Sequence, residues 1–228
     1  MKTYIILITL FFFSVSNNVF GQESEKQFQK HKAFNGIVFE YATLLPKSYN
    51  PNKAYKTVIS FAGFKPENNK TVVSSLGSLW RNYKEYNTII IAMKAPIGHA
   101  HWVSHSIHHG FNDFLEMIKQ IYNVKNQKFH FLGYNEGCIP AQTYISMLSY
   151  PPASLVLLSS DYWDHYKDKE YGQLAKLGIP IKLYYKKSDK KGIKKGVNVL
   201  EKLKKKKVDV TLHYVDDYNN GLDFLYKR

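Results

Sequence analysis

Phe131-Leu132-Gly133-Tyr134-Asn135-Glu136-Gly137 is the stretch on which the fold turns. An apolar run enters Gly-x-Asn-x-Gly and leaves toward Cys138-Ile139-Pro140-Ala141, the pattern of a strand, a sharp turn and a helix. The glycines have a steric reason. Such a turn brings neighbouring backbone so close that only hydrogen fits, while the residue between them takes a positive φ, which Asn tolerates better than most side chains.

Outward from this turn, apolar β-rich runs at 36–45, 56–61, 88–93, 128–132, 154–158, 181–185 and 208–215 alternate with helical spacing at 68–86, 111–122, 139–148 and 192–207. Two of the runs, Thr88-Ile89-Ile90-Ile91-Ala92 and Leu155-Val156-Leu157-Leu158, are nearly unbroken, which suits strands buried on both faces. In the second helical segment Phe114, Ile118 and Ile121 share one face. This order predicts an α/β fold, a mostly parallel sheet with helices on both faces. No internal repeat and no Gly/Ser-rich or Pro-rich linker divides the chain, so residues 22–228 are expected to form a single domain.

The chain has 228 residues, 44% of them hydrophobic, and a formal net charge of +14. That composition excludes a disordered or collagen-like chain. Cys138 is the sole cysteine, so an intramolecular disulfide is excluded and a buried core must supply the stability. Lys2, the apolar run from Tyr4 to Phe13 and the small and polar residues up to Gly21 read as a secretory signal over residues 1–21, which predicts a secreted or periplasmic protein. The run is shorter than the roughly 20 apolar residues that span a bilayer, so no transmembrane segment is expected after cleavage.

In an open parallel sheet, ligands are held at the carboxyl ends of strands. The turn at Gly133 to Gly137 lies there and has the spacing of a nucleophile elbow, with Asn135 at the place of serine. Three further stretches join it: Tyr41-Ala42-Thr43-Leu44-Leu45-Pro46-Lys47-Ser48-Tyr49 followed by Lys53 to Phe64, Gly110-Phe111-Asn112-Asp113-Phe114 leading to Tyr122-Asn123-Val124, and Leu212-His213-Tyr214-Val215 leading to Asn220-Gly221-Leu222. In these the chain resembles α/β-hydrolases of the secreted esterase and polyhydroxybutyrate-depolymerase type over most of its mature length. The resemblance implies an α/β-hydrolase-like three-layer sandwich. It places Asn135 at the nucleophile position, Asp189 at the acid position and Asn220 at the general-base position, with Asp161 a second candidate for the acid. It also implies an oxyanion site built from the backbone N–H of Glu136 and one from the loop holding Gly63 and Phe64. Serine-hydrolase chemistry needs a nucleophile and a base, and an amide serves as neither. The expectation is a pseudoenzyme that binds a small ligand or glycan in a vestigial cleft; the alternative is an esterase with unconventional, metal-assisted catalysis.

Five of the nine histidines fall between Pro96 and His109, in a segment read as a loop after the strand at 88–93. His99, His101 and His105 form a candidate metal set for Zn, Cu or Ni, and Trp102 is a candidate cleft residue. Without a paired carboxylate, the same pattern also describes a polar rim facing water. No other cofactor is implied. Between Lys182 and Lys207, twelve lysines stand against Asp189 and Glu201. This is a solvated helix face, or a basic surface for an anionic envelope partner. No nucleic-acid-binding motif is present, and nucleic acid is not an expected partner.

Overall fold

Buried apolar runs need ladder partners for their backbone groups, and here they find them in each other. The computed structural model describes residues 27–61, 79–94, 96, 105–146, 151–159 and 174–222. Its strands are β1 (Gln27–Lys32), β2 (Val38–Leu44), β3 (Tyr55–Phe61), β4 (Thr88–Met93), β5 (Val124–Tyr134), β6 (Ser154–Leu158), β7 (Ile181–Lys186) and β8 (Val210–Val215). They form one sheet in the order β1-β2-β4-β3-β5-β6-β7-β8. Strands β1, β2 and β4 pair antiparallel, while every neighbour from β4 to β8 is parallel. The mostly parallel α/β sheet read from the sequence is therefore present. Residues 1–21, where a secretory signal is expected, lie outside the described residues.

The helices α1 (His105–Ile121), α2 (Cys138–Thr143) and α3 (Lys190–Lys205) cover one face. Against α1 the sheet presents Phe61 and Phe131, and Phe111 stacks on Tyr144 at 4.4 Å between ring centroids. The other face buries Val58, Ile90, Leu132, Val156 and Leu158 beneath Trp80, Tyr83, Tyr218 and Leu222. Those covering residues come from 79–86 and from the 3-10 turn Tyr218–Leu222 that follows β8.

Two sequence readings are corrected. The sequence predicts a loop before residue 111, yet His105 to His109 already belong to α1, because Ile107, Phe111, Phe114 and Ile118 continue one fully buried stripe. His105 is thereby a helix residue, with its side chain outside the described set. The second concerns β1, which the apolar pattern missed. Its sequence, Gln-Phe-Gln-Lys-His-Lys, is mostly polar and its Phe28 is 68% exposed. The strand is held instead by its ladder to β2 and by cross-element pairs: Lys30 to Glu40 at 2.7 Å, and His31 to Asp113 of α1 at 2.8 Å.

Candidate functional site

The turn after β5 has the strained geometry its residues suggest. Asn135 sits at φ +49°, exposed at the carboxyl end of a buried strand. It opens a 3-10 turn, Asn135–Gly137, that runs straight into α2. Gly133 is required by contact: a Cβ there would lie 2.6 Å from Cys138 Cα and 2.7 Å from the Gly137 carbonyl oxygen. Gly137 has an ordinary right-handed helical backbone. Glu136, whose N–H belongs to the implied oxyanion site, is half-buried beside Asn135.

Asp189 lies beyond the carboxyl end of β7, at the same end of the parallel sheet as Asn135. Its carboxylate is the N-cap of α3, accepting a 2.9 Å hydrogen bond from the Gly192 N–H. The fit is close enough that a side chain at Gly192 would run into the carboxylate. An acid at this position offsets the unpaired N–H groups of the first turn. Asn220 lies in the 3-10 turn after β8, with its side chain outside the described set. Gly63, Phe64, Asp161, His99, His101 and Trp102 also lie outside the described residues. Among the described residues, no group of three His, Cys, Asp or Glu is placed to hold a metal.

Tyr218 and Ser159 were not singled out by sequence, and they join these strand ends. The Tyr218 ring meets Tyr134, the residue before Asn135, edge-on at 5.6 Å, and the Lys186 ammonium lies 5.1 Å above it. Hydrogen bonds to the Ser159 side chain and the Lys186 backbone engage its phenol, and Asp189 lies within electrostatic reach. Burial raises the Tyr218 pKa, the two hydrogen bonds oppose that rise, and Tyr134 and Asp189 add to it, so the phenol is neutral near pH 7. Ser159 follows β6 at φ +56°. One tyrosine two positions before Asn220 thus ties the ends of β5, β6 and β7 together. The only advance signal was Ser159-Ser160-Asp161 at a strand end, read for its aspartate alone.

The chemistry offered here is hydrogen bonding. A carboxamide nitrogen is delocalised into its carbonyl and is a very poor nucleophile. Among the described residues, the polar groups at these strand ends include the hydroxyls of Ser159 and Tyr218, the half-buried Glu136, the Lys186 ammonium and a carboxylate engaged in capping. A separate shallow groove of about 330 Å³, including space open to solvent, is lined by Leu115, Glu116, Phe129, Pro151 and Pro152, toward the opposite end of β5.

No protein-family model matches the sequence, and no curated protein matches it. Solved structures do. A thermostable esterase superposes with a TM-score of 0.60 at 17% identity, covering 83% of this chain and 54% of that one. A ferulic acid esterase gives 0.63 at 13% identity, covering 89% and 94%. The S-formylglutathione hydrolase FrmB of Staphylococcus aureus gives 0.67 at 13% identity, covering 89% and 99%. The chain spans about half the length of the thermostable esterase and nearly all of the other two. With its strand order, parallel core and helices packed on the sheet, the chain has the α/β-hydrolase fold seen in these esterases and hydrolases.

Proposed function

We propose that this protein is an exported α/β-hydrolase-fold binding protein of the secreted-esterase type that lacks serine-hydrolase turnover. In this reading Asn135, Asp189 and Asn220 stand where a nucleophile, an acid and a base would act. The vestigial cleft holds a small ligand or glycan by hydrogen bonds to its carbonyl, carboxylate or hydroxyl groups. The observation that carries the reading is Asn135 exposed at φ +49° on the strand-to-helix turn, an elbow backbone bearing an amide. The Asp189 carboxylate, spent on capping α3, supports it. Backbone N–H donors do not depend on side-chain identity, so an oxyanion site survives loss of the nucleophile and can bind a carbonyl group without attacking it. Loss of a nucleophile or base costs several orders of magnitude in turnover.

The test is hydrolysis of p-nitrophenyl acetate and butyrate, with and without chelator, alongside labelling by a fluorophosphonate probe. The wild type should give no turnover above buffer and no label. Turnover that follows the purified protein and disappears in Asn135→Ala, or on adding chelator, refutes the binding-only reading and favours a metal-assisted esterase. Binding is read by chemical-shift perturbation of the Asn135 and Glu136 amides against short-chain carboxylates and oligosaccharides.

A further inference from the structure

The outer face of α3 is the most strongly charged surface among the described elements. The helix carries Lys190, Lys191, Lys194, Lys195, Lys202, Lys204 and Lys205 against one acid, Glu201, over sixteen residues. At about 1.5 Å per residue, this is a rod some 24 Å long. Its inner face is fixed: Gly192, Gly196, Val199 and Leu203 are buried, and Gly196 is pressed against the Tyr185 ring so closely that no side chain fits. With successive residues about 100° apart, Lys190, Lys191, Lys194, Lys202 and Lys205 fall within roughly 120° on the opposite side, with Glu201 the one acid among them. All five are exposed.

At the start of the helix this arrangement is unfavourable, whereas Lys202, Lys204 and Lys205 suit its last turn. Lys190 and Lys191 occupy the first turn, where the N-terminal dipole repels cations. Lys190 with Lys194, and Lys191 with Lys195, are like-charge neighbours four apart, each pair costing a few tenths of a kcal/mol. An external array of anions relieves both penalties.

We infer that the lysine face of α3 docks the protein flat on an anionic lipid bilayer. The chemistry of the face selects this partner. From 190 to 205 there is no Arg, Phe, Tyr or Trp, the side chains that fork onto phosphates and bases or stack on them. Lysine ammoniums are point charges suited to a diffuse plane of headgroups. The buried and half-buried apolar residues Ile193, Val199, Leu200 and Leu203 belong to the core contact, so the helix adsorbs by charge and does not insert.

The experiment is sedimentation with vesicles of phosphatidylcholine and phosphatidylglycerol in a two-to-one ratio, against phosphatidylcholine alone. Wild type should pellet with the anionic vesicles only and be released by salt. Each lysine near the surface contributes roughly fivefold in partitioning. Changing Lys190, Lys191, Lys194, Lys202 and Lys205 to Gln together should therefore weaken binding by at least tenfold. Lys47, Lys84, Lys125, Lys128 and Lys176, exposed elsewhere, are changed to Gln as the charge-matched control and should retain most of it. Amine acetylation of the unmodified protein, read by mass spectrometry, tests the same face without any substitution: vesicles should protect the α3 lysines and leave Lys84 and Lys125 reactive. Equal loss in both variants, uniform protection, absence of wild-type binding, or displacement from vesicles by a lower charge concentration of duplex DNA or heparin than of free lipid overturns the inference.

Discussion

Protonation of His130 should remove a defined share of this protein's stability between neutral and mildly acidic pH. The residue lies on β5, opposite Val58 of β3 and Ser154 of β6, and its Nδ1 sits 2.7 Å from the Ser154 hydroxyl. Burial, and to a smaller extent the nearby Lys56 charge, together lower its pKa from the ordinary 6.5 to about 4. The unfolded chain therefore takes up the proton first as pH falls. Stability from this group is intact above about 6.5 and is lost as the pH drops toward 4. At pH 4.5 the linkage amounts to about 2.5 kcal/mol, approaching roughly 3.5 kcal/mol at lower pH. The assay is urea unfolding of wild type and His130→Gln at about pH 7.5 and 4.5. Other groups also titrate on a chain of charge +14, and comparing the two proteins cancels them. Wild type should lose about 2.5 kcal/mol more than the variant over that interval. Parallel losses in the two proteins, or an NMR titration of His130 with its midpoint near the ordinary value, would refute the burial argument.

Gly133→Ala should cost at least about 3 kcal/mol or abolish soluble expression, because the new methyl meets Cys138 and Gly137 backbone that cannot retreat; an ordinary melting curve would contradict the close approach. Asn135→Gly should hold or raise thermal stability, by up to about 1 kcal/mol, since glycine takes φ +49° without strain; a large loss would mean that the carboxamide makes a structural contact. Asp189→Asn should be nearly neutral in unfolding experiments and Asp189→Ala should cost about 1 kcal/mol, the signature of a helix cap; equal losses would point to a role for the negative charge.

Legibility differed by the range of the forces involved. Gly133 and Asn135 could be read because the turn's sterics are local, and the hydrogen that fits beside Cys138 has to be on residue 133. The central strands could be read because β4 and β6 are apolar without interruption and burial on both faces admits little else. Strand β1 could not, since Gln27 to Lys32 are ordered by pairing with the next strand and with Glu40, and by His31 meeting Asp113 some 82 residues away, none of which an apolar pattern records. His105 to His109 drew attention for their ring nitrogens while Ile107, in their midst, was the informative residue. Its place in the stripe with Phe111 and Phe114 made the segment helical and turned His108 toward Tyr144, 5.0 Å away.

Tyr218 shows why a site can escape a reader who has found its neighbours. In sequence it is one tyrosine among eighteen, in Asp216-Asp217-Tyr218-Asn219-Asn220. Its role exists only once β5, β6 and β7 lie side by side and the chain after β8 folds back over their ends. From there it packs on Tyr134, hydrogen-bonds Ser159 and Lys186, and stands beside Asp189. A residue so placed fixes the spacing of the strand ends on which the proposed binding site rests. Tyr218→Phe keeps the ring and removes the hydroxyl, so it separates the two contributions: packing on Tyr134 persists while the tie to Ser159 is lost. Stability should fall by about 1 kcal/mol, and the Ser159 amide should shift in NMR spectra while the Tyr134 ring signals stay in place. A variant with unchanged Ser159 signals would show that the strand ends are held by packing alone.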